Sequence, residues 1–269
     1  MLYLQTIIFG IIQGITEFVP VSSSGHLVIL HEFLGSGQVN ELAFDVALHI
    51  GTLVALIIYF YKDLSKYFKA FFRSFKKFEV SKNTDQRLGW LIALSIIPAG
   101  FVGYFFEVII DQVLRDLTVV VGMLIIGALL FFAVEKWGRQ LRSEESLRWK
   151  GVLFIACAQV LALIPGTSRS GITMTAGMAL QMTRKAAARF SFLMSVPIIF
   201  LAGIKKSIDV YQAGVGTEDI LVYSIGIIIA ALFGYLSIKY MLLFLEKYSL
   251  KWFAWYRLIL ALILIVYML

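Results

Sequence analysis

The sequence predicts an all-α, polytopic membrane protein: six transmembrane helices plus two re-entrant helix pairs, arranged as an inverted-topology repeat. Three observations carry this. Of 269 residues, 60% are hydrophobic and 15% charged, whereas a soluble domain is about a quarter charged, so one core could not hide the apolar surface from water. Apolar runs recur at the length that crosses a bilayer. Two further apolar segments are interrupted by Pro, Gly and Ser. The 22 Phe, 12 Tyr and 5 Trp exclude a disordered chain, and the single cysteine, Cys157, excludes a disulfide scaffold or a Cys-based zinc site. A net charge of +7 suggests nucleic acid until the basic residues are located between apolar runs. That placement suits loops beside anionic lipid, so no nucleic-acid partner is expected.

Taken in order, residues 1–12 carry neither a basic leader nor a small-residue cleavage site, and no removed signal peptide is expected. Segment 1–34 is apolar but broken by VPVSSSGH at 19–26. Runs at 42–61, 88–107, 117–136, 185–204, 219–243 and 252–269 are each long enough to cross a core about 30 Å thick. Segment 151–180 is broken by IPGTSRSG at 164–171. Backbone freed at membrane depth is tolerated only where protein or water satisfies it, so both broken segments read as re-entrant pairs whose tips meet inside the protein.

The loops set the orientation. Lys62, Lys66, Lys69, Arg73, Lys76, Lys77, Lys82 and Arg87 crowd 62–87, and Lys136, Arg139, Arg142, Arg148 and Lys150 crowd 136–150. Both loops are expected to be cytoplasmic. Loop 108–116 with Arg115, loop 205–218 with Lys205 and Lys206, and residues 34–41 then fall outside. The first pair enters from the external side and the second from the cytoplasm. A shift of 146 residues superposes Gln13 on Gln159, Ser22 on Ser168, Ser24 on Ser170, Gly25 on Gly171 and Phe44 on Phe190. One membrane domain, 1–269, thus divides into repeats of about 1–136 and 150–269. Paired broken segments of this kind point to a midplane site.

The first tip runs from Gln13 to His26. Gln13 and Glu17 are four apart and share a helix face. An acid and an imidazole are costly to bury in lipid, so Glu17 and His26 are functional candidates; the alternative is that they only pair with each other or with freed backbone. Ser22, Ser23, Ser24 and Gly25 either line a ligand or satisfy the broken backbone. The second tip holds Gly166, Thr167, Ser168, Arg169, Ser170, Gly171 and Thr173, and reads as an anion cradle at the start of a helix near Gly171. Arg169 is the only charge between Lys150 and Arg184. It needs an anion: a phosphate, which its fork fits, or Glu17 in a structural ion pair. His31 and Glu32 fall near a membrane boundary; Asp45 and His49 share a face but do not make a metal site. KWFAWYR (251–257) reads as an aromatic belt beside basic residues.

QGITEFVPVSSSGH (13–26) and PGTSRSGIT (165–173) resemble the two signature motifs of the undecaprenyl-diphosphate phosphatases, the bacitracin-resistance type of integral membrane phosphatase. The resemblance extends through FDVALHIGT (44–52) and RFSFLMSVP (189–197). It implies hydrolysis of a C55 isoprenyl diphosphate to the monophosphate and inorganic phosphate, recycling the lipid carrier of peptidoglycan precursors. It further implies a bacterial plasma-membrane homodimer, dependent on a divalent cation (Mg²⁺ or Ca²⁺), whose site opens to the external face. In the family's first motif Gln13 takes a place held by Glu or Gln, and Glu17 the fixed one and a metal-ligand place.

Such chemistry needs a clamp for phosphoryl charge, a nucleophile or oriented water, and a group that handles protons. Arg169 with the amides around Ser168 to Gly171 would be the clamp. Ser23 is the first choice for attack, with His26 activating it and Glu17 orienting the ring; direct attack by His26 is the alternative. An ion-coupled transporter or lipid flippase is the competing function, since it shares the inverted-repeat architecture.

Overall fold

The computed structural model describes residues 2–34, 41–106, 114, 116–213 and 217–269. Among them the chain is almost wholly helical: α1 (Leu2–Phe18), α2 (Ser23–Leu34), α3 (Glu41–Tyr59), α4 (Tyr61–Ser74), α5 (Thr84–Leu94), α6 (Ile96–Phe105), α7 (Leu117–Trp137), α8 (Trp149–Val160), α9 (Arg169–Ala179), α10 (Arg184–Ala213), α11 (Thr217–Lys247) and α12 (Lys251–Met268). Five stretches are long and apolar enough to cross a membrane: α5 with α6, α7, α10, α11 and α12. The pair α3 and α4, bent by 82°, makes a sixth. The protein is a multi-pass membrane protein.

Two expected elements differ. The run 42–61 ends slightly early: α3 stops at Tyr59 and α4 turns away at Phe60. Beyond it, Lys62, Lys66, Lys69 and Arg73 recur on one face of α4 and Phe68 and Phe72 are exposed on another, a pattern that suits a helix lying along the interface better than one continuing α3 into water. Segment 62–87 therefore opens with an amphipathic helix instead of a loop. The run 88–107 begins earlier, at Thr84, where the Asn83 side chain accepts the amides of Asp85 and Gln86 (3.0 and 3.1 Å). It is interrupted at Ser95, because Pro98 has no N–H for the carbonyl of Leu94.

Polar contacts gather the helix ends into two groups. At one end Arg184 forks onto Glu135 (2.8 and 2.6 Å), whose carboxylate also accepts the Leu250 amide (2.8 Å). There, too, Arg189 joins Glu144 and Asp63 (2.8 and 3.0 Å), and Arg87 donates to the Glu145 carbonyl (2.9 Å). This basic end collects both Lys/Arg-rich segments. At the other end Gln5 donates to the Leu34 carbonyl (3.1 Å), His31 meets Asp45 (3.0 Å), and Tyr267 meets Glu32 (3.4 Å). Hence α1 and α2 leave and regain the second end, whereas α8 and α9 leave and regain the basic end. Both are hairpins with internal tips. Residues 35–40 and Arg115, which the charge pattern assigns to the second end, lie outside the described residues.

Lipid offers helices no hydrophobic drive to associate, so close backbone approach must replace it. Helix α11 lies between α1 and α3, and glycines set the spacing. A Cβ at Gly14 would stand 2.8 Å from the Ala230 carbonyl oxygen and 2.9 Å from the Gly234 nitrogen. One at Gly51 would stand 2.5 Å from the Ile227 carbonyl oxygen. Gly51→Ala should accordingly force α3 off α11 and destabilise the detergent-purified protein by ~1–3 kcal/mol. Gly203→Ala, whose Cβ would meet only Ile50 at 3.7 Å, should leave the thermal unfolding midpoint unchanged. Equal midpoints for the two variants would refute this packing account.

Candidate active site

The two tips are built alike. Ser22 and Ser168, 146 residues apart, both take positive φ (77° and 71°), a conformation uncommon outside glycine and one that turns the chain sharply. Each hydroxyl oxygen accepts the amide three residues on: Gly25 to Ser22 at 3.2 Å and Gly171 to Ser168 at 3.1 Å. Each also lies against the hydroxyl two residues on, Ser24 at 3.4 Å and Ser170 at 3.3 Å. Ser22 and Ser168 therefore cap their own helices, with Ser24 and Ser170 beside them. Gly25 and Gly171 let the turns close: added Cβ atoms would meet Val120 at 3.2 Å and Phe131 at 2.8 Å. Because Ser168 is the cap, α9 starts at Arg169, earlier than the expected Gly171.

Glu17 is where the tips meet. Its Oε2 accepts from Ser23 Oγ at 2.7 Å and from Gln13 Nε2 at 3.1 Å. Its Oε1 accepts from Arg169 Nη2 at 2.8 Å. Ser23 and Arg169 hold equivalent positions in the two turns, so each tip sends one donor to the same buried carboxylate. Arg169 Nη1 also donates to the Ser191 carbonyl (3.4 Å), while Ser191 Oγ bonds Thr173 Oγ1 at 2.6 Å. Thr173 thus stands behind Arg169. His49, which sequence analysis placed on one helix face with Asp45, brings Nε2 to 3.7 Å from Glu17 Oε2, and its Nδ1 bonds the Asp45 carbonyl (2.8 Å).

His26 stands apart from this group. Its Nδ1 lies 2.7 Å from the Ser22 carbonyl oxygen and its Nε2 2.8 Å from the Tyr256 hydroxyl. A carbonyl only accepts, so Nδ1 carries the proton and Nε2 accepts from Tyr256. Both nitrogens are thereby engaged, and the expected chain from Ser23 to His26 to Glu17 is replaced by a direct contact between Ser23 and Glu17.

Gly166 and Thr167 also depart from the expected cradle, since they offer carbonyls inward. The recipient is Arg257, fully buried, which the sequence reading placed in an aromatic belt. Its guanidinium donates through Nε to Leu124 (3.1 Å), through Nη1 to Pro20 and Thr167 (3.4 and 3.0 Å) and through Nη2 to Met123 and Gly166 (2.7 and 2.9 Å), all backbone carbonyls. Five N–H groups meet five carbonyls, and one cation ties both tips to α7. Phe131 lies beneath it, 5.4 Å from the guanidinium carbon. Only Gly127 leaves room: a Cβ there would stand 2.2 Å from Nη2. The sequence signal was a lone charge inside the last apolar run, the criterion that selected Arg169.

Arg257→Lys retains the charge but leaves at least two buried carbonyls without donors, at about 1–3 kcal/mol each. Its thermal midpoint should fall well below wild type, and Gly127→Ala should reproduce the loss. Wild-type midpoints in both would contradict the tie.

Residues 6–263 match the family model described as bacitracin resistance protein BacA. The chain is 43% identical to an undecaprenyl-diphosphatase of Rubrobacter xylanophilus over 96% of its own length and 95% of the relative's. It is 42% identical to undecaprenyl-diphosphatase 2 of Stutzerimonas stutzeri, covering 98% of this chain and 97% of that one. To undecaprenyl-diphosphatase 1 of Pseudoalteromonas translucida it is 41% identical over 98% of each chain. With two signature tips meeting at one carboxylate and a family match along nearly its whole length, the chain belongs to the bacitracin resistance protein BacA family.

Proposed function

We propose that the protein hydrolyses undecaprenyl diphosphate to undecaprenyl phosphate and inorganic phosphate at the two tips. The observation that carries this is the convergence of Ser23 and Arg169 on Glu17, which puts a hydroxyl, a carboxylate and a guanidinium in one hydrogen-bonded group. The names of relatives about 40% identical along the whole chain support the substrate.

In this reading Arg169 turns from Glu17 to the terminal phosphoryl oxygens, and the freed carboxylate acts as base toward Ser23. Ser23 Oγ bonds the terminal phosphorus as its proton passes to Glu17. The bond from that phosphorus to the bridging oxygen breaks, and undecaprenyl phosphate leaves. Water then attacks the phosphoserine, Glu17 returns its proton to the departing Ser23 Oγ, and the protons of the water leave on the inorganic phosphate. The leading amides of α9 at Arg169 and Ser170 have no earlier turn to donate to and add anion affinity. His26, bonded to Ser22 and Tyr256, fixes the first turn.

A divalent cation fits only in part. Among the described residues no three His, Cys, Asp or Glu side chains gather as a ligand set, and Glu17 is already an acceptor three times. Gln13 Oε1, however, is buried without a hydrogen-bond partner beside it. Gln13 and Glu17 would hold a Mg²⁺ or Ca²⁺, which would supply neutralisation of phosphate charge. The basic end is assigned to the cytoplasm by its Lys/Arg content, which opens the first tip toward the external side of a bacterial plasma membrane. A homodimer belongs to the same reading.

Phosphate release from C55 diphosphate by purified protein tests the assignment. Ser23→Ala should lower turnover far more than tenfold; a loss of tenfold or less, about 1.4 kcal/mol of barrier, would reduce Ser23 to a binding hydroxyl. Arg169→Lys should lose most activity despite its charge, since an ammonium cannot fork onto two oxygens. Glu17→Gln should fold yet turn over poorly. No phosphate release from wild-type protein under any cation condition would refute the function.

A further inference from the structure

A cavity of about 510 Å³ lies away from the tips, between α4, the end of α3, α5, α6 and the middle of α10. Its walls include Ile57, Phe68, Phe71, Phe72, Ala93 and Pro197. The volume is that of a ligand pocket, typically about 300–1,000 Å³, yet the lining is almost purely apolar. We propose that it holds an acyl chain of an anionic phospholipid whose phosphate rests on the cationic stripe of α4.

Helix α4 has three faces, and each faces a different medium. Tyr67, Ala70 and Ser74 are buried against the protein, where Trp90 donates to Ser74 (2.9 Å) and Asp63 meets Arg189 (3.0 Å). Leu64, Phe68, Phe71 and Phe72 line the cavity. Lys62, Lys66, Lys69 and Arg73, spaced four, three and four apart, form an exposed third face. Lys66 is paired with Asp85 (2.8 Å). Lys62, Lys69 and Arg73 have no acidic partner among the described residues. Between the apolar and cationic faces sits Ser65, at the cavity wall.

The 82° bend at Phe60 lays this helix across the basic end, the geometry of an interfacial amphipathic helix. A lipid with its chain between α4 and α5 then carries its phosphate at the level of the stripe. Charge selects among lipids: a choline headgroup brings its own cation, whereas a phosphatidylglycerol headgroup leaves the phosphate free to pair with Lys62, Lys69 and Arg73. Charge also argues against a second copy of the chain, because a two-fold contact through this face would oppose one stripe to its twin.

Trp90 reports on the site, since its ring lies 4.6 Å from that of the cavity-lining Phe71. The full-length protein keeping Trp90, with Trp137, Trp149, Trp252 and Trp255 changed to Phe, would be placed in phosphatidylcholine vesicles. Dibrominated phosphatidylglycerol or dibrominated phosphatidylcholine is titrated as quencher. The anionic lipid should quench at about threefold or more lower mole fraction. Combining Lys62→Gln, Lys69→Gln and Arg73→Gln should bring the two curves together, and Ala93→Phe should weaken quenching by occupying the cavity. Should the triple variant fail to fold, about 1 M salt should abolish the preference in the parent by screening. Equal quenching by both lipids in the parent, or a preference that survives charge removal and salt, overturns the proposal. Absence of quenching by either, with α4-to-α4 cross-links between protomers, overturns it in favour of a second copy.

Discussion

A helix broken inside a membrane frees carbonyls that lipid cannot satisfy, and here one guanidinium answers for both breaks. Arg257 donates to Pro20 at the first tip, to Gly166 and Thr167 at the second, and to Met123 and Leu124 of α7. Its charge is solvated by carbonyl dipoles, with the face of Phe131 adding to them. The cost of burying the cation and the cost of the broken backbone offset each other only when both are present. Gly127 belongs to the same constraint, because any side chain there would displace the guanidinium.

With the tips fixed, a second buried charge brings them together. Glu17 sits on unbroken α1 and draws Ser23 and Arg169 from equivalent places in the two turns. The two turns differ at this place: a hydroxyl stands at Ser23 and a cation at Arg169. Around them the turns stayed the same, with Ser22 and Ser168 in the same strained conformation and performing the same capping. Of the two partners that the sequence offered Arg169, the structure shows Glu17, and the phosphate belongs to the proposal.

Composition and the Pro/Gly/Ser breaks made the membrane architecture legible, because lipid permits few folds. Gln13, Glu17, Ser23 and Arg169 were legible as a group, since polar residues in apolar segments stand out. The partner of His26 was not. Its hydroxyl comes from Tyr256, 230 residues away, and nothing in local spacing marks such a contact. Arg257 was hidden by its neighbours, for Trp252, Trp255 and Tyr256 are exposed as an aromatic belt should be, while Arg257 turns inward. The bend at Phe60 was obscured because the apolar run continues through Tyr59, Phe60 and Tyr61 with no Pro or Gly to mark the break.

The central claim is that Arg169 leaves Glu17 to clamp phosphate while Ser23 attacks, on tips held by Arg257. A structure of the purified protein with orthovanadate bound tests it most directly. Vanadate should lie between the tips, with its oxygens forked by Arg169 and its metal centre within bonding reach of Ser23 Oγ, and Arg257 should still occupy its five carbonyls. Vanadate bound with Arg169 still on Glu17, or centred on His26 instead of Ser23, would contradict the account.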